Sequence, residues 1–293
     1  MSYQSNYLSK IKTASDFLRP HVEGLNPEFG LTLGSGLGDL AEKIKVTAEF
    51  DYSEIPNFPT TTVAGHEGKL IIGKLAGIPV IGLKGRKHFY EVADLPSNEG
   101  ILQTVFAVHV LAELGVKNYF VTNAAGGLNL NYEVGDLMII KSHINFLPNP
   151  LLGQHLAFTR VDNGQIVDRF QPMNSAYDEK LRQKLSLASL EFKKNIHQGT
   201  YLAVTGPTYE TEAECIAFRD GLKADAVGMS TTPEVIVARN RGMNVVGLSC
   251  ITNKIAKDGT NATNHEEVKA ILESNEVKNR LSTIVTKFFE SLY

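Results

Sequence analysis

The 293-residue chain has no tryptophan and only two cysteines, Cys215 and Cys250. These form neither a CxxC pair nor a disulfide framework, which excludes a disulfide-stapled scaffold and points to a reducing compartment. Apolar runs long enough to cross a bilayer are missing, and the first ten residues, MSYQSNYLSK, lack the apolar core of a secretion signal. The expected location is therefore cytoplasmic, with no membrane partner, and the Asn261-Ala-Thr263 triplet is read as a chance match to a glycosylation acceptor. Charge of one sign is missing too. A net charge of −3 with both signs scattered argues against nucleic acid as the main partner. No group of His, Cys and Asp has metal-ligand spacing, so no metal is expected. His265-Glu266-Glu267-Val268-Lys269 begins like HExxH and fails at its lysine. Ser35 has no GxSxG context, which disfavours a hydrolase nucleophile.

What is present is ordinary for a globular protein: 43 % hydrophobic and 21 % charged residues. No repeat, low-complexity tract or linker interrupts the chain, so residues 1–293 are expected to form a single domain. Strand-length apolar runs lie at Leu31–Leu33, Val80–Leu83, Tyr119–Thr122, Leu137–Ile140, Tyr201–Val204, Ala224–Val227 and Val245–Cys250. Between them, Ser97–Leu114, Ala176–Phe192, Thr211–Gly221 and Pro233–Arg241 carry helical periodicity, with Gly242 placed as a stop. His265–Leu292 suits a long C-terminal helix with room for an interruption. This alternation predicts an α/β fold with a mixed, largely parallel central sheet flanked by helices.

Ligands in such folds sit at the carboxyl ends of strands, and the unusual polar sequences fall there. They are Gly34-Ser35-Gly36, Gly85-Arg86-Lys87-His88, Asn123 to Gly127, Gly206 to Glu210, Gly228-Met229-Ser230 and Thr252-Asn253. The first is a glycine loop of the kind that offers backbone N–H groups to phosphate. It is not GxGxxG, because Asp39 stands where the third glycine belongs, and no P-loop lysine follows. That makes a nicotinamide dehydrogenase the weakest reading. Taken alone, the loop is equally a glycine turn at a helix start. In extended chain Arg86, His88 and Tyr90 share one face and line one wall of a site; in isolation the same residues also read as a solvated basic turn. His66, flanked by glycines, reads as structural more readily than functional. His109 falls in a helical segment and is assigned to core or helix surface.

Together these segments resemble a purine nucleoside phosphorylase of the trimeric type that prefers 6-oxopurines. The resemblance is carried by GSGLGDL (34–40), VAGHEGKL (63–70), GRKHFYE (85–91), TNAAGGLN (122–129), GDLMIIKSHIN (135–145), GPTYETEAEC (206–215), AVGMSTTPEVIVARNRGM (226–243), ITNKI (251–255) and NHEEV (264–268), in the family's order. It implies phosphorolysis of purine nucleosides such as inosine and guanosine, with inorganic phosphate as co-substrate and no resident cofactor. It implies a phosphate pocket of Ser35, His66, Arg86, His88, the backbone at Ala124, and Ser230. Tyr90, Met229 and His265 would hold the ribose, joined by Phe170 from a neighbouring subunit of a homotrimer. Glu210, Asn253, Tyr209 and Val227 would hold the base, with Asn253, His88 and Glu210 bearing most directly on the chemistry. A methylthioadenosine phosphorylase is the nearest alternative, disfavoured by Asn253, where an aspartate would suit adenine-type substrates, and by His265, where a 5′-thioether needs apolar room; a non-catalytic nucleoside-binding protein is another. Asn253 also suits a turn cap and Glu210 a lysine pair. The polar segment 257–264 reads as a lid or as a plain surface loop. Lys87 and Val92 depart from the family's Arg-Phe-His-x-Tyr-Glu-Gly pattern, Tyr209 stands where phenylalanine is frequent, and the chain diverges after Leu152, ahead of Phe170.

Overall fold

Strand β1 (Phe29–Leu33) is buried along its whole length and lies parallel to β4 (Ile78–Lys84) on one side and β5 (Asn118–Gly127) on the other. A strand with sheet on both edges and helices on both faces needs apolar side chains in both directions, which is why it reads as a continuous hydrophobic run. The computed structural model describes all residues except 1–2, 35–37, 64–66, 97, 154–160, 163–164, 167–169, 262–263 and 293. Ser35 and His66 fall outside the described residues, as does the side chain of His265.

Around β1 the sheet has nine strands in the order β10-β9-β6-β11-β5-β1-β4-β3-β2. The others are β2 (Lys45–Asp51), β3 (Lys69–Leu75), β6 (Leu137–Asn145), β9 (Ile196–Ala203), β10 (Ala226–Gly228) and β11 (Asn244–Lys254), while β7 (Val161–Asp162) and β8 (Gln165–Ile166) pair separately. Strands β4, β1, β5 and β11 run parallel, as do β6, β9 and β10; β6 and β11 pair antiparallel, and β2–β3–β4 form antiparallel hairpins. The end of β5 also pairs antiparallel with β10, Val227 opposite Gly126. That extra pairing closes β10, β9, β6, β11 and β5 into a ring, and the ends at Ala124–Gly126, Val227–Ser230 and Thr252–Asn253 line one cleft at its mouth.

Helices cover both faces. On one side α1 (Tyr3–Val22), α3 (Glu99–Glu113) and α6 (Thr232–Asn240) pack with inward residues such as Tyr119 and Val121. On the other lie α2 (Gly38–Glu42), α4 (Glu179–Ala188) and α8 (Asn275–Glu290), against Leu31 and Phe120. Tyr119 and Phe120 thus point to opposite faces, the alternation every strand imposes. In α8, Val277, Leu281, Ile284, Val285, Phe288 and Phe289 make one buried stripe.

The expected strands and helices are all present, several with shifted bounds. The C-terminal helix is interrupted: α7 (His265–Glu273) stops at Ser274, whose hydroxyl accepts from Val277 N and caps α8. Gly242 ends α6 with φ +79°. Residues 211–221 begin as α5 (Glu212–Ile216) and finish as a π-turn. Cys215 and Cys250 are both buried and unpaired. Among the described residues no helix is long and apolar enough to cross a membrane.

Candidate active site

One cleft brings together Arg86, His88, Tyr90, Ala124, Tyr209, Glu210, Val227, Met229, Ser230 and Asn253, from strand ends far apart in sequence. The cleft is open to solvent and has a cavity volume of about 140 Å³. Val63, Thr252 and Val268 complete the lining. Phe170 is not in it and stands 80 % exposed on the surface of this chain.

At one end is a cation with fixed aim. Arg86 is buried, donates from Nη2 to Thr122 O (2.8 Å) and from Nη1 to Ser230 Oγ (3.1 Å), and holds Nε 3.2 Å from Glu234 Oε2. Glu234 also accepts from Tyr119 OH at 2.8 Å and from Thr32 Oγ1 at 3.4 Å. Ser230 approaches Thr231 Oγ1 at 3.1 Å, and that hydroxyl accepts from Asn123 Nδ2 at 2.9 Å. Thr231 has φ +75°, a rare and strained state for a β-branched residue; such strain concentrates where a loop must present groups to a ligand.

Arg86, His88 and Tyr90 do line one wall, but not as an extended chain. Phe89–Glu91 form a 3-10 turn. The turn stacks the His88 and Tyr90 rings with centroids 5.0 Å apart and planes at 12°. Glu91 makes the turn: it accepts from His88 N at 2.6 Å and lies 3.3 Å from His88 Nδ1. Burial would push its carboxyl up, but hydrogen bonds from His88 and Thr62 outweigh that and hold it well below the usual range. The phenol of Tyr90 is pushed up to about 12, first by burial and then by Glu91.

The other end presents an amide and a carboxylate. Strand β5 runs between the ends: Gly126 is paired with Asn253 on one side and Val227 on the other. A Cβ on Gly126 would sit 3.1 Å from Asn253 Nδ2 and 3.5 Å from Val227 Cγ1, so glycine leaves room for both. Glu210 is half-buried, and burial raises its carboxyl above the ordinary 4.5 with no cation opposing it. Among the described residues no lysine bears on it. Between the ends, Gly206 (φ +61°) brings Met229 and Tyr90 together: its Cβ would lie 2.4 Å from Met229 Sδ and 3.3 Å from Tyr90 Cδ1.

Segment 257–264 is tied down over its described part, Arg219 donating to Ala256 O and Lys257 O. His109 is fully buried in α3, as core. No group of three or more potential metal ligands occurs among the described residues. Val63 and Val268 carried no chemical signal in the sequence. Glu234 carried a faint one, an acid in the first turn of a helix that follows a polar strand end.

Residues 28–290 match the model of the Phosphorylase superfamily. Purine nucleoside phosphorylase 1 of Bacillus subtilis (strain 168) is 44 % identical over 265 residues, 90 % of this chain and 92 % of that one. A Schistosoma purine nucleoside phosphorylase solved with hypoxanthine superposes with a TM-score of 0.81 at 36 % identity, covering 97 % of this chain and 98 % of that one. The Schistosoma mansoni enzyme solved with adenosine superposes at 0.78 and 36 % identity, covering 95 % and 97 %.

Proposed function

The chain belongs to the Phosphorylase superfamily, among the purine nucleoside phosphorylases, and from that premise we propose that it cleaves 6-oxopurine nucleosides, inosine and guanosine, with inorganic phosphate. The observation that carries this reading is the spacing along β5. Ala124 O lies beside Gly228, two residues before Ser230, and Gly126 pairs with Asn253 and Val227. Two residues of strand are about 7 Å, the width of a sugar standing between an anion and a base.

Phosphate is already a nucleophile, so no serine or cysteine needs activating; the site must hold its charge and aim it. Arg86, His88, Ser230 and the Ala124 backbone take that part, with Ser35 and His66 assigned by resemblance. As the C–N bond stretches, the sugar becomes oxocarbenium-like and the phosphate beneath it becomes attractive. Tyr90 and Met229 hold the ribose, with His265 assigned to the 5′-hydroxyl. The leaving purine gathers negative charge; Asn253 accepts from a protonated N7 and donates to the 6-oxo group. Glu210 accepts from N1–H and, in guanine, the 2-amino group. Tyr209 and Val227 flank the ring. A site that donates to O6 faces a second donor in adenosine and discriminates by about 10⁴-fold. Phe170, exposed on this chain, serves a neighbour's ribose site in a homotrimer, and the enzyme works in the cytoplasm without a resident cofactor.

Inosine turnover with and without phosphate, beside adenosine, tests the proposal. Phosphate-dependent release of hypoxanthine with little adenine is expected. Phosphate-independent release would make the enzyme a hydrolase, and efficient adenosine cleavage would overturn the role of Asn253.

A further inference from the structure

The chain itself holds Asn253 at both ends of its amide. Nδ2 donates to Asn261 Oδ1 at 3.1 Å, and Oδ1 accepts from Thr252 Oγ1 at 3.3 Å. The two holds are not equivalent. A hydroxyl donates or accepts, so Thr252 serves either rotation of the amide. The Asn261 carbonyl oxygen accepts only, so an Asn253 that turned alone would set oxygen against oxygen, and the two amides can turn only together.

Asn261 is not part of the cleft lining. It stands behind Asn253 on the segment leaving β11, and that segment is anchored. Arg219 donates from Nη1 to Ala256 O (3.1 Å) and from Nη2 to Lys257 O (2.8 Å), and Ala256 N donates to Thr260 O (3.0 Å). Gly259, at φ +88°, lies so close to α5 that a Cβ would stand 2.4 Å from Glu212 O.

We infer that Asn261 is a positioning residue that sets the 6-oxo preference by fixing the rotation of the Asn253 amide. The inference rests on the reading of Asn253 as the side chain that meets the base. One Nδ2 hydrogen is engaged by Asn261, the other is left for O6, and Oδ1 faces the protonated N7. A 6-aminopurine needs an acceptor opposite its exocyclic amine, hence the turned amide that Asn261 opposes. The contact couples residues eight apart in sequence with no regular element between them, so selectivity depends on the path of this loop as well as on the residue at 253.

The test is the ratio of kcat/KM for inosine and adenosine, at saturating phosphate, in full-length Asn261→Ala, Asn261→Asp and Asn253→Asp. A net hydrogen bond is worth enough to move the Asn261→Ala ratio about tenfold toward adenosine, with the KM for phosphate unchanged. Aspartate, an acceptor in every rotation, keeps the ratio within about threefold of the parent or raises it. A loop-packing role would slow both substrates together and gain nothing from aspartate, which would overturn the inference. Asn253→Asp separates the two readings. If it moves the ratio and Asn261→Ala does not, the positioning role falls while the base assignment stands. If neither moves it, both fall; if only Asn261→Ala does, Asn261 does not act through Asn253.

Discussion

Glu234 Oε2 lies 3.2 Å from Arg86 Nε, and both side chains are buried. The partners come from the first turn of α6 and the end of β4, and the contact turns the other guanidinium edge toward Ser230 and the cleft. A buried pair adds little to stability as a pair, but removing one partner strands the other charge at a cost of about 3–5 kcal/mol. Glu234 therefore acts less as a strut than as the group that aims Arg86. Glu234→Gln keeps the shape and a donor–acceptor group for Tyr119 while removing the charge. It should raise the KM for phosphate about tenfold, the effect of losing a charge-assisted bond, and leave the KM for inosine nearly unchanged. Initial rates with each substrate varied in turn check this, with a thermal melt to register the lost stability. Equal rises in both constants would mean general loosening.

In the role proposed for it, Glu210 must be ionised to accept from a purine N1–H, and its burial raises the carboxyl above 4.5. The sign follows: activity falls on acidification, and it falls at a higher pH than an exposed glutamate would impose. Glu210→Ala should cost inosine turnover about 100-fold or more, because the buried polar edge of the base is left unpaired, while phosphate binding stays intact. Glu210→Gln should remove this acid limb from the kcat/KM profile for inosine. A limb of unchanged midpoint in the glutamine variant would assign it to another group.

The polar strand ends were readable in the sequence because glycine and charge interrupt apolar runs there, and those carrying Arg86, Ala124, Glu210, Ser230 and Asn253 converge on one cleft. Other features were not. Arg86, His88 and Tyr90 converge through a 3-10 turn built by Glu91, a tertiary arrangement that alternation cannot express. Strand β2 is an exposed edge with no apolar run, and β3 offers only Leu70, Ile71 and Ile72 before a glycine. Helix α1 buries Tyr7, Ile11, Ala14, Leu18 and Val22, a helical spacing diluted by one alanine and one tyrosine. The Glu234–Arg86 and Asn253–Asn261 contacts join side chains whose types alone name no partner.

His143, in β6, is pushed down to about 4 by burial, from an ordinary 6.5, with Tyr177 OH 3.1 Å from its Nδ1. Between those values the unfolded chain binds a proton that the folded chain refuses, so stability rises with pH through that window and is lost as pH falls. Fully buried His109 acts in the same direction. Melting temperature should drop as pH is lowered from 7 toward 4, and His143→Asn should flatten the slope in part. A slope identical in the variant would place the acid sensitivity elsewhere.

The mouth of the ring is set by a glycine. A Cβ on Gly228 would stand 2.4 Å from Tyr201 Oη and 3.2 Å from Ala124 O. Tyr201 is fully buried and its ring has nowhere to retreat, so Gly228→Ala must push β10 away from β9 and β5. Overpacking of this kind costs about 1–3 kcal/mol. Because Val227, Met229 and Ser230 ride on the same segment, the KM values for nucleoside and phosphate should rise together, unlike the split expected for Glu234→Gln. Tyr201→Phe removes the clashing oxygen. In the double variant both the melting temperature and the KM values should recover most of what Gly228→Ala lost, a coupling that a double-mutant cycle reads directly. Additive losses would place the strain at Ala124 O, and the tyrosine hydroxyl would not be what limits the width of the cleft.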